Sequence, residues 1–252
     1  MKKTLVLCAL LVSPALQAGS CEYSKEIEQN LDLSGSKHLA INALAGDLEV
    51  RGVDGKAAVI RGTVCVSEEE WLEESGVKTS GGDHAEVTVE LPNASGWSWT
   101  GNRYAYIDLE VGVPEGMPVK VSDSSGDAEF SGLAALSVKD SSGDLDIRNI
   151  GGAVVIEDSS GDINVRGVKG DVTVPRDSSG DMEIEDVTGD VLVERDSSGG
   201  MYFGEVGGSV MVERDSSGDI EADGVGGDFT VMRDGSGSIR ARNVTGTVSE
   251  PD

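Results

Sequence analysis

The side chains with the clearest capacity for chemistry are aspartates that recur at a nearly fixed interval. The phrase Asp-Ser-Ser-Gly begins six times, with spacings of 17, 18, 19, 19 and 19 residues, at the leading aspartates Asp123, Asp140, Asp158, Asp177, Asp196 and Asp215. In most copies a second carboxylate comes directly after the glycine, at the following aspartates Asp127, Asp144, Asp162, Asp181 and Asp219. Stacked carboxylates repel one another, and Ca²⁺, with its six to eight oxygen ligands, relieves such repulsion. The following aspartates are therefore the candidate calcium ligands.

The alternative is a solvated row of turn residues, and this interpretation is favoured. The calcium-binding β-roll uses Gly-Gly-x-Gly-x-Asp, and the EF-hand uses Asp-x-Asp-x-Asp-Gly; neither motif matches the repeated phrase. Four arginines also stand immediately before an aspartate that opens a copy, at Arg176, Arg195, Arg214 and Arg233. Exposed ion pairs contribute only about 0–1 kcal/mol each, which is enough to weaken repulsion. No cofactor is predicted apart from this calcium alternative.

A compact aromatic cluster is the second candidate site. Trp97, Trp99, Tyr104 and Tyr106 flank a four-residue turn at 100–103, which predicts a hairpin with its aromatic side chains on one face. Cross-strand aromatic pairs stabilise a hairpin by about 0.2–1 kcal/mol. The alternative is an exposed platform for a glycan or a partner protein, because Trp and Tyr are frequent anchors of binding surfaces.

Catalytic patterns are poorly represented in the chain. His38 and His84 are the only histidines, and neither neighbours a plausible nucleophile. The glycines open strand-like segments rather than helices, so they do not form a phosphate-binding loop. The sequence therefore predicts that the protein is not an enzyme.

The elements that carry these residues follow a strand-like period of two. Apolar residues alternate with polar ones after most of the repeated glycines, and one further apolar residue lies between the two half-repeats. A full copy thus offers five inward positions, for example Ile163, Val165, Val168, Val172 and Val174. Alternation of this kind is typical of strands with one buried face.

One copy alone buries too little apolar area to offset the conformational entropy of ordering 19 residues. The copies must therefore stack and share a core. We predict an all-β, parallel β-solenoid-like repeat with two short strands in each coil of about 19 residues. An antiparallel β meander is the alternative, although it gives no reason for alternate turns to match.

The domain boundaries follow from where this repetition begins. Residues 123–252 form the repeats, and residues 21–122 form a less regular β portion continuous with them. Within that portion we expect strands near 86–91 and 104–113, a short helix over 67–74 capped by Ser67, and a loop over 76–83.

Residues 1–20 are typical of a signal peptide, with a basic start, an apolar stretch and a cluster of small residues. The mature chain retains Cys21 and Cys65, and two cysteines in an exported protein usually form a disulfide. The alternative is a lipid anchor on Cys21, because Ala18-Gly19-Ser20-Cys21 is similar to a lipoprotein cleavage site. Export to the periplasm or the cell surface follows from either interpretation, without a transmembrane span.

The overall charge limits the partners. With 46 acidic and 20 basic residues, the formal net charge is −26, which argues against nucleic acid as a partner because phosphates need a basic face. Arg240, Arg242 and Glu250 lie near the last strands and would protect the terminal edge from pairing with another chain. A monomer is therefore expected.

Several short motifs give the chain a family resemblance. It resembles the bacterial putative-adhesin family of β-strand-repeat proteins, related to the toast-rack domains. The resemblance covers most of residues 38–248 and rests on Gly46-Asp47-Leu48-Glu49-Val50-Arg51-Gly52, on Val113-Pro114-Glu115-Gly116 and on the Ser-Gly-Asp copies that follow. The resemblance implies an exported or surface β-repeat protein and supplies no catalytic residues.

Repeats, export signal and resemblance together predict a non-catalytic cell-envelope protein with a structural or adhesin-like interaction role. The alternative is a ligand-binding module, either for calcium through the following aspartates or for a glycan or protein through Trp97–Tyr106. The expected partner is an envelope or surface protein or a glycan.

Overall fold

The computed structural model describes residues 21–92 and 103–251, and these are almost entirely β-structure. One short helix, α1, spans Trp71–Glu74. The strands are β1 (Tyr23–Asp32), β2 (Leu39–Asn42), β3 (Leu48–Val53), β4 (Ala57–Val66), β5 (Gly76–Ser80), β6 (Ala85–Glu90), β7 (Ala105–Pro114), β8 (Pro118–Ser122), β9 (Ala128–Ser131), β10 (Ala135–Lys139), β11 (Leu145–Ile150), β12 (Val154–Glu157), β13 (Ile163–Val168), β14 (Val172–Arg176), β15 (Met182–Val187), β16 (Val191–Val193), β17 (Met201–Val206), β18 (Val210–Val212), β19 (Ile220–Val225), β20 (Phe229–Val231), β21 (Ile239–Val244) and β22 (Val248–Ser249).

From β8 onwards the chain winds as a parallel β-solenoid of about seven coils. Each coil adds one strand to each of two sheets. The first sheet has the order β1-β4-β7-β3-β9-β11-β13-β15-β17-β19-β21, and the second has the order β22-β20-β18-β16-β14-β12-β10-β8-β2-β6-β5. Every pairing between successive repeats is parallel, so the solenoid prediction is confirmed and the antiparallel meander is wrong for the repeats.

The core lies between the two sheets and is built from the alternating apolar positions. In one coil, Ile163, Val165 and Val168 of β13 face Val172 and Val174 of β14, and all five are at most 2% exposed. The parallel register stacks each position on its equivalent, as where Ile163 pairs with Met182. Burial of aliphatic side chains contributes about 1.5–3 kcal/mol each, so neighbouring coils stabilise one another.

An irregularity in β14 explains how the repeat lengthens to 19 residues. Glu157 of β12 pairs with Arg176 of β14 although Val155 pairs with Thr173, so β14 contains one additional residue. In strands β10 and β12, by contrast, inward and outward side chains alternate without interruption up to the aspartate that follows each strand. The extra residue places two outward side chains in succession, and the next aspartate still faces inward.

The N-terminal portion is less regular, as expected, because its coils do not follow chain order. The coil of β2 and β3 lies between the coil of β6 and β7 and the coil of β8 and β9. Strands β1, β4 and β5 pair antiparallel with their neighbours and extend this end of both sheets. This end of the solenoid therefore departs from the parallel pattern of the repeats.

Two local expectations in this portion are wrong. Residues 76–80 form strand β5, paired with β6, rather than a loop. The helix is confined to Trp71–Glu74, and Ser67 does not cap it. Instead, the Ser67 Oγ accepts the backbone N–H of Tyr104 at 3.2 Å, and the Ser67 N–H donates to the Tyr104 carbonyl at 3.0 Å. Ser67 thus continues the pairing of β4 with β7.

A disulfide between Cys21 and Cys65 ties the start of β1 to β4, with the two Cα atoms 5.4 Å apart. This bond occupies the sulfur to which a lipid anchor would be attached, so the disulfide and lipidation of Cys21 exclude each other. The proposed leader, residues 1–20, lies outside the described residues. Within the described ranges, no helix has the length and apolar character needed to cross a membrane.

Candidate functional site

The following aspartates form a row along one edge of the solenoid, and each binds the next coil. The Oδ1 of Asp127 accepts the backbone N–H of Asp144 at 3.0 Å, and Asp144 accepts that of Asp162 at 2.9 Å. Asp162 accepts the N–H of Asp181 at 2.8 Å. The described ranges contain no group of three or more His, Cys, Asp or Glu side chains placed to hold a metal ion. The carboxylates of this row therefore link successive coils by accepting backbone hydrogen bonds.

The row is interrupted once, at Gly200. Asp181 accepts the Gly200 N–H at 2.8 Å, but glycine has no carboxylate with which to continue the row. It resumes at Asp219, which accepts both the N–H and the hydroxyl of Ser238. A Cβ at Gly200 would meet only Asp181 Oδ1 at 3.5 Å and the Asp219 carbonyl at 3.8 Å. The gap therefore has room for a side chain.

Beside this gap, Tyr202 lies across the outer face of the first sheet. In β17, Tyr202 and Gly204 face outward, while Phe203 between them is fully buried in the core. A Cβ on Gly204 would lie 3.0 Å from Tyr202 Cε1 and 3.2 Å from its Oη. The ring therefore covers Gly204, which explains why an outward-facing glycine is buried.

Together these residues form the Tyr202 notch, a shallow concavity of about 420 Å³. Its lining is formed by Asp162, Asn164, Asp181, Met182, Glu183, Gly200, Met201, Tyr202, Asp219, Glu221 and Arg240. The register places Tyr202 between Glu183 on one neighbouring strand and Glu221 on the other. Tyr202 thus has a glutamate beside it on each neighbouring strand.

Arginines neutralise part of the acidity around the notch. Arg166 lies 3.7 Å from Glu183, Arg242 lies 3.1 Å from Glu221, and Arg240 lies 3.6 Å from Asp219. The carboxylates are partly exposed and keep acceptor capacity towards solvent. The notch therefore presents hydrogen-bond acceptors, and its lining remains acidic, with five carboxylates and one arginine.

The leading aspartates differ from expectation, because they are buried rather than solvated. They are between 1% and 4% exposed and face the interior at the corner between the sheets. The backbone N–H of the next serine donates to some of them, at 2.7 Å in Asp123 and Asp196 and at 2.6 Å in Asp177. The turn-like composition of Asp-Ser-Ser-Gly suggested exposure, but strand alternation turns the aspartate inward.

Burial also changes the acidity of these groups. Desolvation raises the pKa of Asp123 and Asp196 to about 7 and that of Asp158 to about 6. It likewise raises the pKa of Asp140, Asp177 and Asp215, and backbone N–H donors partly offset the effect at Asp177 and Asp215.

The expected pairing of arginines with these aspartates is wrong. Arg176, Arg195, Arg214 and Arg233 are exposed, whereas the residue after each points to the other side of the backbone. Within residues 21–92 and 103–251 none of the four arginines has an ion pair. These arginines contact the stacked leading aspartates, the column of leading aspartates, through the backbone, as where the Asp196 N–H donates to the Arg214 carbonyl at 2.9 Å.

The aromatic cluster falls partly outside the described residues, which do not include Trp97 and Trp99. The rings of Tyr104 and Tyr106 are 6.1 Å apart. The Tyr104 hydroxyl accepts the Glu22 N–H at 3.0 Å, and the Tyr106 hydroxyl lies 3.8 Å from the Cys21 Sγ. These two tyrosines contact the disulfide-linked N-terminus.

The sequence analysis did not predict the Tyr202 notch, although an alignment of the repeat copies shows the two unusual residues that form it. Gly200 stands where most copies have a following aspartate, and Tyr202 stands where neighbouring copies have Asn164, Glu183 or Glu221. It also missed the approach of His38 to His84, whose ring centroids are 6.1 Å apart.

Comparison with solved structures finds several proteins of low sequence identity. Solved structures similar to the chain include a putative cell adhesion protein from Clostridium sporogenes, at 17% identity over 91% of this chain and 99% of that one, with a TM-score of 0.34. A putative lipid binding protein from Parabacteroides distasonis has 14% identity over 89% and 96%, with a TM-score of 0.48. A putative adhesin from Bacteroides fragilis has 12% identity over 90% and 97%, with a TM-score of 0.39.

No curated protein matches the sequence. The model of the family described as Toastrack DUF4097 matches residues 63–222, which is more than half of the chain. This match confirms the toast-rack resemblance of the repeats, and the protein belongs to the Toastrack DUF4097 family.

Proposed function

We propose that the mature protein is an exported, non-catalytic interaction protein of the cell envelope that binds carbohydrate at the Tyr202 notch. The signal peptide predicted at residues 1–20 and the Cys21–Cys65 disulfide suit a protein that works outside the cytoplasm. The observation that carries the proposal is the ring of Tyr202 laid over Gly204, with a glutamate beside Tyr202 on each neighbouring strand.

The chemistry of the notch matches that of a sugar ring. An aromatic side chain offers apolar area to the C–H face of a sugar, and carboxylates accept hydrogen bonds from its hydroxyl groups. Glu183 and Glu221 each lie near an arginine, Arg166 and Arg242 respectively, and they remain partly exposed, so their carboxylates can accept hydrogen bonds from a ligand.

A protein partner fits this face less well. Stable protein interfaces need a substantial apolar centre, and the large apolar side chains that are exposed in the described ranges do not line the notch. They are Leu44, Met211, Met232 and Val248.

The test is calorimetric titration of the mature protein with four neutral probes: maltohexaose, cellohexaose, mannohexaose and chitohexaose. We expect one of these oligosaccharides to bind, and we expect Tyr202→Ala to weaken binding at least about tenfold, which corresponds to about 1.4 kcal/mol. Tyr202→Phe keeps the ring and retains binding.

Gly200→Asp is the matched steric variant. It restores the row of following aspartates and fills the gap, and the fold accommodates it because most other copies have aspartate there. We expect unchanged thermal stability and lost binding. Binding that survives both Tyr202→Ala and Gly200→Asp would place the carbohydrate site elsewhere, and no binding of any probe would leave a protein partner as the better hypothesis.

A further inference from the structure

We propose that the column of leading aspartates is a proton-binding element, in which neighbouring carboxyl groups share protons inside the folded repeat and release them when it unfolds. The column would make the solenoid most stable in acid and progressively weaker as the pH rises through neutrality. This inference is independent of the Tyr202 notch and concerns the interior of the repeat.

The geometry of the column favours protonated carboxyl groups over ionised ones. Six aspartates, each at most 4% exposed, are stacked at the spacing of parallel strands, about 4.8 Å. Several buried carboxylate oxygens have no hydrogen-bond partner, namely Asp123 Oδ2, both oxygens of Asp140, both oxygens of Asp158, Asp215 Oδ2 and Asp234 Oδ1. An ionised carboxylate without partners in a buried site is strongly disfavoured, whereas a protonated carboxyl donates a hydrogen bond to its neighbour.

The charges that face the column are acidic throughout. Within the column, the charge of Asp140 raises the pKa of Asp123. The charges of Asp177 and Asp215 raise the pKa of Asp196. Carboxylates in the surrounding segments also raise the pKa values of the column. The pairs are Asp47 with Asp123, Asp127 with Asp140, Asp162 with Asp177, and Asp234 with Asp215. The arginines that precede Asp177, Asp196, Asp215 and Asp234 are exposed. The described surroundings thus favour the neutral form of the carboxyl groups.

Asp196 has a leading aspartate on each side in the column. Burial is the main influence on both Asp177 and Asp196 and raises the pKa of each carboxyl group, that of Asp196 to about 7. A carboxyl group can donate a hydrogen bond to a neighbouring carboxylate only when it is protonated. Asp196 is therefore the position at which we test the column.

The direction of the pH effect follows from these shifts. The folded pKa lies above the unfolded value of 3.8, so the stabilisation is fully present below pH 3.8 and is lost as the pH rises towards 7. For one group with a folded pKa of about 7, the unfolding equilibrium changes by about a hundredfold to a thousandfold across this window.

The experiment measures guanidinium unfolding of the mature protein at half-unit steps from pH 5 to pH 8, together with proton release on unfolding at pH 6. We expect the unfolding midpoint of the wild type to fall with rising pH and protons to be released. Asp196→Asn carries a neutral group of the same shape, so we expect a flatter pH profile and about one proton fewer released.

Asp190→Asn is the matched control, because Asp190 is an exposed aspartate whose Oδ1 accepts the Ser209 N–H at 2.7 Å. It loses the same charge and should keep the wild-type pH profile. A wild-type midpoint that is constant between pH 5 and pH 8 overturns the proposal, as does unfolding at pH 6 without proton release. The release measurement needs only the wild type, so it decides even if Asp196→Asn does not fold.

Discussion

The glycine that closes each Asp-Ser-Ser-Gly turn offers a sharp test of how the coils stack. At Gly180 the backbone has φ +133°, and an added Cβ would lie 1.8 Å from the carbonyl oxygen of Gly161 in the preceding coil. No real contact of this kind is that short, so Gly180→Ala must push the two coils apart at this corner.

The cost has two parts. A positive φ is strained for alanine by about 1–2 kcal/mol. Separation of the two coils also weakens the hydrogen bond from the Gly161 N–H to the Ser179 carbonyl, which contributes about 0.5–1.5 kcal/mol. We therefore expect Gly180→Ala to reduce the free energy of unfolding by roughly 1.5–3.5 kcal/mol.

Gly55→Ala is the control that separates these two parts. Gly55 has φ +144°, yet nothing lies within 4 Å of its added Cβ, so this variant has the strain without the collision. Urea denaturation followed by circular dichroism gives both free energies. A Gly180→Ala variant no less stable than Gly55→Ala would refute the close stacking of these turns.

Three further predictions follow from single features. Glu205 has φ +50° where equivalent coils use Asn149 and Asn243, so Glu205→Asn should raise the free energy of unfolding by up to about 1 kcal/mol; a lower melting temperature would contradict the assignment of strain. Reduction of the disulfide, which closes a 44-residue separation, should cost about 4 kcal/mol by loop entropy, and an unchanged urea midpoint would count against it. Calcium or a chelator should leave the melting temperature unchanged, because the following aspartates accept backbone N–H groups; a shift on either addition would restore the calcium interpretation.

Much of the repeat architecture is predictable from the chain because its period is strict. The spacing of the Asp-Ser-Ser-Gly phrases and the apolar alternation identify the coils and inward residues such as Ile163 and Val172, which are fully buried. The order of the N-terminal coils is not predictable in this way. Strands β2 and β3 pair with strands that come later in the chain, and such long-range pairing leaves no local periodic pattern in the sequence.

The burial of the leading aspartates shows where composition misleads. Asp, Ser and Gly are typical of exposed turns, yet alternation through Val138 and Lys139 already places Asp140 inward. The Tyr202 notch was missed for a different reason. It depends on what one copy lacks, a side chain at Gly200, and on the space above Gly204 that lets the ring lie flat.

The most direct test of carbohydrate recognition is an NMR titration of protein labelled on its tyrosine rings with the oligosaccharide probes. The chain has four tyrosines, and Tyr202→Phe assigns the relevant signal. We predict that the Tyr202 ring resonances shift and that saturating them transfers magnetisation to sugar C–H protons. Bound sugar that leaves the Tyr202 resonances unchanged would contradict the proposed site.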